Sequence, residues 1–284
     1  MSSYAELLEK AVRGFEDAGV EDAALNAREL LGRALGCDCR SFEFKKLLGG
    51  EADGSVQGEF ERLCRRRLNG EPLQYLVGEW EFYGLPFKVG EGVLIPRQDT
   101  ETLVDVVIKK APGDKVLTVI DLCSGSGCIP IALEKHLNCE RVLGVELSDK
   151  ALEYMKQNIT LNGSNAEAVK GDVTDCKTAD KLPIADIITA NPPYLTNEDM
   201  KVLQKEVTFE PGTALFGGDD GLDFYRQILI NFKDRLRQGG LMAFEIGIGQ
   251  EDEVMTMMIR HGFENVRAYK DACGIFRCIA GYKK

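Results

Sequence analysis

Apolar residues in the first quarter of the chain recur three and four positions apart, as they do on one face of an amphipathic helix. A helix-breaking segment at Gly54 separates the last two helical stretches. A second one, at Gly70 and Pro72, ends the helical pattern. We therefore predict a small helical domain over residues 1–72. The stretches with helical spacing are 7–15, 25–35 and 60–68.

The pattern changes after residue 72. Residues 73–90 are rich in aromatic and strand-forming side chains with a turn at Gly84, which predicts a linking β-hairpin. Beyond residue 90, apolar runs typical of buried strands alternate with helical segments. The predicted strands are 116–122, 141–147, 166–170, 185–190 and 240–246, and the predicted helices are 100–110, 128–136, 150–162, 222–237 and 250–261.

The last two segments, 264–270 and 275–282, are predicted to be consecutive strands with no helix between them. The alternation before them predicts a doubly wound α/β fold with a mostly parallel sheet and right-handed crossovers. With the antiparallel final pair, the sheet has seven strands. By analogy of fold, this ending favours a class I methyltransferase domain over residues 91–284 rather than a dehydrogenase.

The tetrapeptide Asn191-Pro192-Pro193-Tyr194 directly follows the apolar run 185–190. Because proline cannot donate to a sheet ladder, the strand must end at Asn191, and the loop beyond it is stiff. Ligands bind at the carboxyl ends of the strands in such sheets. A rigid amide and a free backbone carbonyl at this position suit recognition of a planar group that carries an NH2.

A second candidate site follows strand 116–122, in the sequence Asp121-Leu122-Cys123-Ser124-Gly125-Ser126-Gly127. Its glycines let the backbone approach a ligand closely, with the amides of the next helix pointing at it. The dinucleotide fingerprint needs a third glycine where this chain has Pro130, and Asp121 would repel a pyrophosphate. An acid beside the loop instead suits a cationic ligand such as the amino and sulfonium groups of S-adenosylmethionine.

Two further acids end predicted strands. Glu146 lies 19 residues after Gly127, at the tip of strand 141–147, where an acid accepts hydrogen bonds from ribose hydroxyls. Asp172 closes strand 166–170 and is placed to accept the adenine amino group. Together with Asp121 and Asn191, these side chains predict a nucleoside cofactor site lined by strand tips.

Composition narrows the choice of partners. The net charge is −11, from 35 basic and 46 acidic residues, which disfavours binding to a nucleic-acid backbone. No apolar stretch approaches the roughly 20 residues of a membrane span, and the first residues lack the regions of a signal peptide. With nine cysteines, two histidines and no Cys-x-x-Cys, we expect reduced thiols, no metal site and a cytoplasmic protein.

These motifs, with several flanking segments, resemble those of the protein-(glutamine-N5) methyltransferases. Within that group the chain is most similar to the family, called PrmC or HemK, that methylates the glutamine of the Gly-Gly-Gln motif in class 1 peptide chain release factors. The chain departs from the family pattern at Gln98, where proline is usual, and at Cys123-Ser124, where Gly-Thr is common. The flanking segments that carry the resemblance are 71–84, 93–101, 209–222 and 245–247.

The resemblance implies S-adenosylmethionine as methyl donor, S-adenosylhomocysteine as product, and a class 1 release factor as partner. We also expect a monomer that engages neither nucleic acid nor membrane, and the resemblance implies that the helical domain docks the substrate. The implied catalytic residues are Asn191, Pro192 and Tyr194, which bind the substrate together with Pro193. The implied cofactor-binding residues are Arg97, Thr100, Asp121, Leu122, Cys123, Ser124, Gly125, Gly127, Glu146, Asp172, Val173 and Asn191.

The chemistry of an amide explains why such a clamp is useful. An amide nitrogen is a poor nucleophile because its lone pair is delocalised into the carbonyl. The Asn191 oxygen and the Pro192 carbonyl can each accept a hydrogen bond from one of the two N–H groups of the amide. We expect Tyr194 to pack on the amide plane. Three alternatives stay open: a glutamine of a ribosomal protein such as L3, an exocyclic amine of a nucleic acid, and a non-enzymatic cofactor-binding scaffold.

Overall fold

The chain forms two compact units. The computed structural model describes residues 2–37, 50–113 and 115–284. The amino-terminal unit comprises Met1–Glu79 and Gln204–Phe209, and the carboxy-terminal unit comprises Trp80–Leu203 and Glu210–Lys284. The division into domains at residues 72 and 90 stays a prediction beside these two units.

Helices make up most of the amino-terminal unit. Ser3 and Glu6 form a capping box at the start of the first helix, which satisfies amides that the first turn leaves unpaired. The helical character predicted for this part of the chain is confirmed. Among the described residues the elements are α1 (Tyr4–Asp17), α2 (Ala23–Ala34), α3 (Gly54–Leu68), α4 (Leu73–Val77) and the antiparallel strands β1 (Ser2–Ser3) and β2 (Glu51–Ala52).

The segment 73–90 differs from the prediction at its start, where α4 replaces the expected strand. Leu73 and Leu76 are both buried. Residues three apart share a face of a helix but lie on opposite faces of a strand, so only the helix buries both. The hairpin is confined to β3 (Glu79–Phe82) and β4 (Leu85–Lys88), and its turn residues Tyr83 and Gly84 both have positive φ, 53° and 72°, as a tight hairpin turn requires.

The carboxy-terminal unit is built on one seven-stranded sheet, in the spatial order β7-β6-β5-β8-β9-β11-β10. Neighbouring strands from β7 to β9 are parallel, and β11 runs antiparallel to both β9 and β10. The predicted doubly wound, mostly parallel sheet with an antiparallel ending is confirmed. Its strands are β5 (Leu117–Leu122), β6 (Cys139–Glu146), β7 (Glu167–Lys170), β8 (Ala185–Ala190), β9 (Leu236–Glu245), β10 (Phe263–Lys270) and β11 (Phe276–Lys283).

Helices cover the sheet, and both of its faces are buried. Ile120 and Ile188 belong to one core cluster, and their chain neighbours Val119 and Ile187 belong to another. This division follows from the pleat, which points successive side chains to opposite faces. The helices are α5 (Glu101–Lys110), α6 (Cys128–His136), α7 (Asp149–Leu161), α8 (Cys176–Asp180), α9 (Asn197–Lys201), α10 (Asp223–Phe232) and α11 (Glu251–Arg260).

The largest boundary difference from the prediction in this unit lies between the helix expected over 222–237 and the strand after it. The helix expected over 222–237 ends at Phe232, and β9 begins at Leu236 rather than at residue 240. Leu236 is buried and pairs with Ala185 of β8, so packing against the sheet extends the strand into residues that were assigned to the helix. No helix in the described parts of the chain is long and apolar enough to cross a membrane.

Candidate active site

The carboxyl ends of four adjacent parallel strands, β5 to β8, meet at one cavity of about 350 Å³. Each of these strands contributes a polar lining residue at its end or in the loop after it. Ser124 follows β5, Glu146 ends β6, Asp172 follows β7 and Asn191 follows β8. Neighbouring parallel strands present their carboxyl ends at the same edge of a sheet, which is why residues up to 67 positions apart in the chain come together here.

The loop after β5 adopts a backbone that favours glycine. Cys123, Gly125 and Gly127 have positive φ angles of 58°, 54° and 80°. A Cβ on Gly127 would lie 2.6 Å from Met155 Cγ of α7, so the close approach of loop and helix requires glycine there. Cys123, where the family usually has glycine, therefore holds a conformation that few side chains adopt.

Asp121 lies beneath this loop rather than in the cavity. Its buried carboxylate accepts the Ser124 hydroxyl at 2.5 Å and the Thr189 hydroxyl at 2.6 Å. Burial raises the pKa of Asp121 to about 7, against the opposing effect of these two hydroxyls. The structure therefore places Asp121, which we expected to face the cofactor, beneath the loop and outside the cavity lining, where its hydrogen bonds order the loop.

Glu146 and Asp172 both line the cavity, but they differ in how much of each carboxylate is occupied. The two Glu146 oxygens accept the Gly125 N–H at 2.8 Å and the Ser148 N–H at 2.7 Å. Asp172 Oδ1 accepts the N–H and the hydroxyl of Thr174, at 2.8 and 2.7 Å, while Oδ2 has no partner within the described residues. Since each carboxylate oxygen carries two lone pairs, both acids can still accept hydrogen bonds from a ligand.

Residues 92–97 line one side of the cavity, and Glu210 holds them in place. Glu210 is buried, accepts the Ile95 N–H at 3.0 Å and forms an ion pair with the Arg97 guanidinium. Arg97 and Thr100 both line the cavity, as expected for the cofactor side of the site. The charge of Arg97 is thus already balanced by a carboxylate of the protein.

The tetrapeptide after β8 places Asn191 and Pro193 in the cavity lining, whereas Pro192 and Tyr194 do not line it. Asn191 Nδ2 donates to Thr100 Oγ1 at 3.4 Å. Among the described residues, Asn191 Oδ1 has no hydrogen-bond partner, and neither has the Pro192 carbonyl oxygen. Two free acceptors adjacent in the chain match the two N–H bonds of a primary amide.

Tyr194 supports the turn from behind. Its ring packs against the core, and its hydroxyl donates to Glu245 Oε1 at 3.3 Å. Glu245 is 2% exposed, and burial raises its pKa to about 7, although the hydroxyls of Thr100 and Tyr194 and the charge of Arg277 act against this rise. The structure thus packs the Tyr194 ring against the core, and its contact with the substrate amide stays a prediction.

Most of the side chains predicted to bind the cofactor meet in the cavity. Leu122 instead lies in the core and Gly127 precedes α6, so that these two, like Asp121, do not line it. The predicted residues that do line it are Arg97, Thr100, Cys123, Ser124, Gly125, Glu146, Asp172, Val173 and Asn191.

Three supporting side chains were not predicted from the sequence: Thr189, Glu210 and Glu245. Thr189 is a polar residue within the apolar run of β8, and this was the one feature of the sequence that could have indicated its supporting role. Glu210 and Glu245 lie in segments that carried the family resemblance. The sequence shows both glutamates in these segments, but only the folded structure shows which groups they contact.

The lining fits S-adenosylmethionine. The spare lone pairs of Glu146 and the free Oδ2 of Asp172 suit ribose hydroxyls and an exocyclic amine. Leu147 lines the cavity with 52% of its surface exposed, and Val173 adds an apolar wall. A bound nucleoside would cover this exposed apolar surface while it donates hydrogen bonds to the carboxylate oxygens beside it.

Two family profiles match the chain: the PrmC N-terminal domain over residues 6–78 and the TRM5/TYW2 methyltransferase domain over residues 102–208. The crystal structure of a methyltransferase from Pyrococcus furiosus has the same fold, with a TM-score of 0.54 at 20% identity over 71% of this chain and 90% of that one. The fold is thus that of a known methyltransferase, and the second profile matches residues 102–208 to a methyltransferase domain.

Similar sequences identify the family. A release factor glutamine methyltransferase from Geobacter sulfurreducens is 39% identical over 273 residues, which is 95% of this chain and 93% of that relative. Another, from Thermodesulfovibrio yellowstonii, is 42% identical over 223 residues, 76% of this chain and 78% of that relative. The chain belongs to the release factor glutamine methyltransferase family, which confirms the resemblance seen in its motifs.

Proposed function

We propose that this enzyme transfers a methyl group from S-adenosylmethionine to the side-chain amide nitrogen of the glutamine in the Gly-Gly-Gln motif of class 1 peptide chain release factors. The observation that carries this proposal is the Asn191 amide oxygen, which lies at the cavity without a partner among the described residues. Family membership supports the choice of a release factor as substrate.

In the proposed complex, the strand tips hold the methyl donor. Glu146 accepts hydrogen bonds from the ribose hydroxyls and Asp172 from the adenine amino group, while loop 123–127 runs beside the methionine part. S-adenosylmethionine supplies an electrophilic methyl carbon and a neutral thioether leaving group, so that the reaction needs no metal. The residues of the chain bind and orient the two reactants.

The substrate amide needs to be held because it is a weak nucleophile. Asn191 Oδ1 and the Pro192 carbonyl each accept one N–H, which fixes the amide plane and draws electron density towards nitrogen. The nitrogen lone pair forms the new N–C bond as the C–S bond breaks, and the amide proton then leaves to solvent. Thr100 already orients Asn191, so this arrangement is set before the substrate binds.

We propose that the helical amino-terminal unit docks the release factor and that the enzyme works as a monomer in the cytoplasm. The net charge of −11 supports a protein rather than a nucleic acid as the direct partner. Segments 1–72 and 91–284 carry the docking and catalytic roles in this scheme, with the hairpin between them.

The test is a choice of substrates. The purified chain is incubated with S-adenosylmethionine carrying a labelled methyl group and, in parallel, with an unmethylated class 1 release factor, ribosomal protein L3 or RNA. Mass mapping then locates the label. We expect one methyl group on the glutamine of the Gly-Gly-Gln motif and none on the other two. Label confined to L3 or to RNA would contradict the proposal.

A further inference from the structure

Gln250, at the start of α11, makes contacts that tie three distant parts of the chain together. Its Oε1 accepts the Gly247 N–H at 2.9 Å and lies 3.4 Å from the Tyr225 hydroxyl, which donates to the Glu245 carbonyl at 2.9 Å. Its Nε2 donates to the Tyr194 carbonyl at 3.0 Å and to the Gly221 carbonyl at 3.4 Å. A primary amide offers two donors and two acceptor sites, and here both donors and one acceptor site have a partner.

The backbone around Tyr194 is enclosed too tightly for this contact to be incidental. A Cβ on Gly221 would lie 2.3 Å from the Tyr194 carbonyl oxygen and 2.7 Å from Gln250 Nε2. A Cβ on Gly247 would lie 3.0 Å from Gln250 Oε1 and 3.1 Å from Tyr194 Cδ2. Glycine at both positions leaves room for the Gln250 amide beside the tyrosine.

From this arrangement we infer that Gln250 is a positioning residue for methyl transfer, because it holds the Tyr194 carbonyl and with it the turn that carries Asn191 and Pro192. The inference rests on the proposed function, in which those two residues hold the substrate amide. Gln250 does not line the cavity, so it acts through the turn rather than on either reactant.

Replacing the amide by a carboxyl group separates this role from simple packing. Gln250→Glu keeps the size of the side chain and an acceptor for the Gly247 N–H, but when ionised it has no donor for the Tyr194 carbonyl. Protonation restores one donor. Carbonyl oxygens that face a carboxyl group disfavour its ionised form, so its pKa is raised. The variant should therefore recover activity as the pH falls. The titratable or charged groups around this position are Tyr194, Tyr225, Glu245 and Arg277, with Glu251, Asp252 and Glu253 in the first turn of α11.

The experiment compares the full-length wild type with Gln250→Glu, Gln250→Ala and a matched control, Gln238→Ala, whose glutamine is exposed at the other end of β9. We expect Gln250→Ala to lower kcat on a release factor at least tenfold, with the Kd of S-adenosylmethionine within threefold. The kcat of Gln250→Glu relative to wild type should rise at least fivefold from pH 8.5 to pH 6.0. The kcat of Gln250→Ala relative to wild type should not change with pH, because Glu245 titrates in both proteins. Gln238→Ala should match wild type throughout.

Amide hydrogen exchange provides a readout that does not depend on activity. The Leu195 N–H bonds to the Leu215 carbonyl and the Gly217 N–H to the Leu195 carbonyl, so both report on the turn after Tyr194. They should exchange faster in Gln250→Ala than in Gln238→Ala. A kcat within twofold of wild type in Gln250→Ala, or a flat pH ratio in Gln250→Glu, would overturn the inference. A wild type that leaves the glutamine unmethylated would refute the proposed function itself, and faster exchange would then assign Gln250 a purely structural role.

Discussion

At the scale of single residues, Glu245 links the support of the Asn191 turn to pH. The carboxyl group is buried, and its pKa rises from the usual 4.5 to about 7, chiefly through desolvation. A group whose pKa rises on folding stabilises the fold most at pH values below its unfolded pKa. That contribution is lost as the pH rises through the folded pKa. For Glu245 the loss falls between about pH 4.5 and pH 7.

Glu245→Gln should remove this titration while keeping an acceptor for the Tyr194 hydroxyl. Between pH 5 and pH 8 the wild type is expected to lose up to about 3 kcal/mol of unfolding free energy through this group, and the variant to decline less. Urea unfolding at several pH values measures the difference. Because the pKa of Asp121 is also near 7, the unfolding free energy of both proteins still falls with pH. The control is Glu253→Gln, at an exposed position, and a slope for Glu245→Gln equal to that of wild type would refute the argument.

The residue scale also shows where prediction from the sequence stopped. Asp121, Glu146, Asp172 and Asn191 were identified because each follows an apolar run. That Asp121 lies behind the cavity depends on strand register, which pairs it with Thr189 of β8 and brings the two side chains into contact. Register between strands so far apart in the chain leaves no local pattern, so the sequence could not show which of these acids lines the cavity and which lies beneath the loop.

At the scale of elements, the glycine-rich loop before α10 shapes the turn that carries Asn191. Gly217 has an ordinary backbone conformation, yet a Cβ there would lie 2.6 Å from both the Pro193 carbonyl oxygen and Tyr194 Cα. The neighbours are backbone atoms, which cannot swing aside as a flexible side chain can. The loop therefore fixes the turn by close contact.

Gly217→Ala should displace the turn without altering the cofactor side of the cavity. We expect kcat to fall by about tenfold or more, since small misplacements of positioning groups cost up to about a hundredfold. The Kd of S-adenosylmethionine should stay within about threefold of wild type. Gly113→Ala is the control, because a Cβ there meets nothing within 4 Å. Unchanged kinetics in Gly217→Ala would show that the turn tolerates the shift.

The elements themselves were predictable where one period dominated the pattern. The buried strands β5 and β8 and the amphipathic helix α1 follow their apolar spacing directly. The helix α4 and the early start of β9 did not, because aromatic content favoured a strand at α4 and the predicted helix before β9 ran on to residue 237. In both places the burial of a leucine against neighbouring elements decided the outcome, and such tertiary contacts override local preference.

At the scale of the whole molecule, the segment Gln204–Phe209 belongs to the amino-terminal unit although the chain on either side of it belongs to the other. Arg67 of α3 is buried in this unit and donates to Asn26 Oδ1 at 2.6 Å and to Glu206 Oε1 at 3.0 Å. Asn26 is buried too. One arginine thus connects the helices to the segment.

Arg67→Ala should destabilise the amino-terminal unit by about 2–4 kcal/mol, because it leaves the buried Asn26 oxygen without its donor. Glu206→Gln should cost about 1 kcal/mol or less, since the side chain of Glu206 is 40% exposed and the variant keeps an acceptor. Chemical unfolding gives both values, and hydrogen exchange should report faster opening of residues 204–209 in Arg67→Ala. Equal costs for the two variants would contradict this assignment.

The central claim is that the Asn191 oxygen holds the substrate amide, and single-turnover methyl transfer to a release factor by Asn191→Ala tests it most directly. Asn165→Ala, at an exposed position before β7, is the control. We predict that the transfer rate falls at least about a hundredfold. The Kd of S-adenosylmethionine should stay within about tenfold, or 1.4 kcal/mol. A transfer rate equal to wild type, or a loss of cofactor affinity as large as the loss of rate, would contradict the claim.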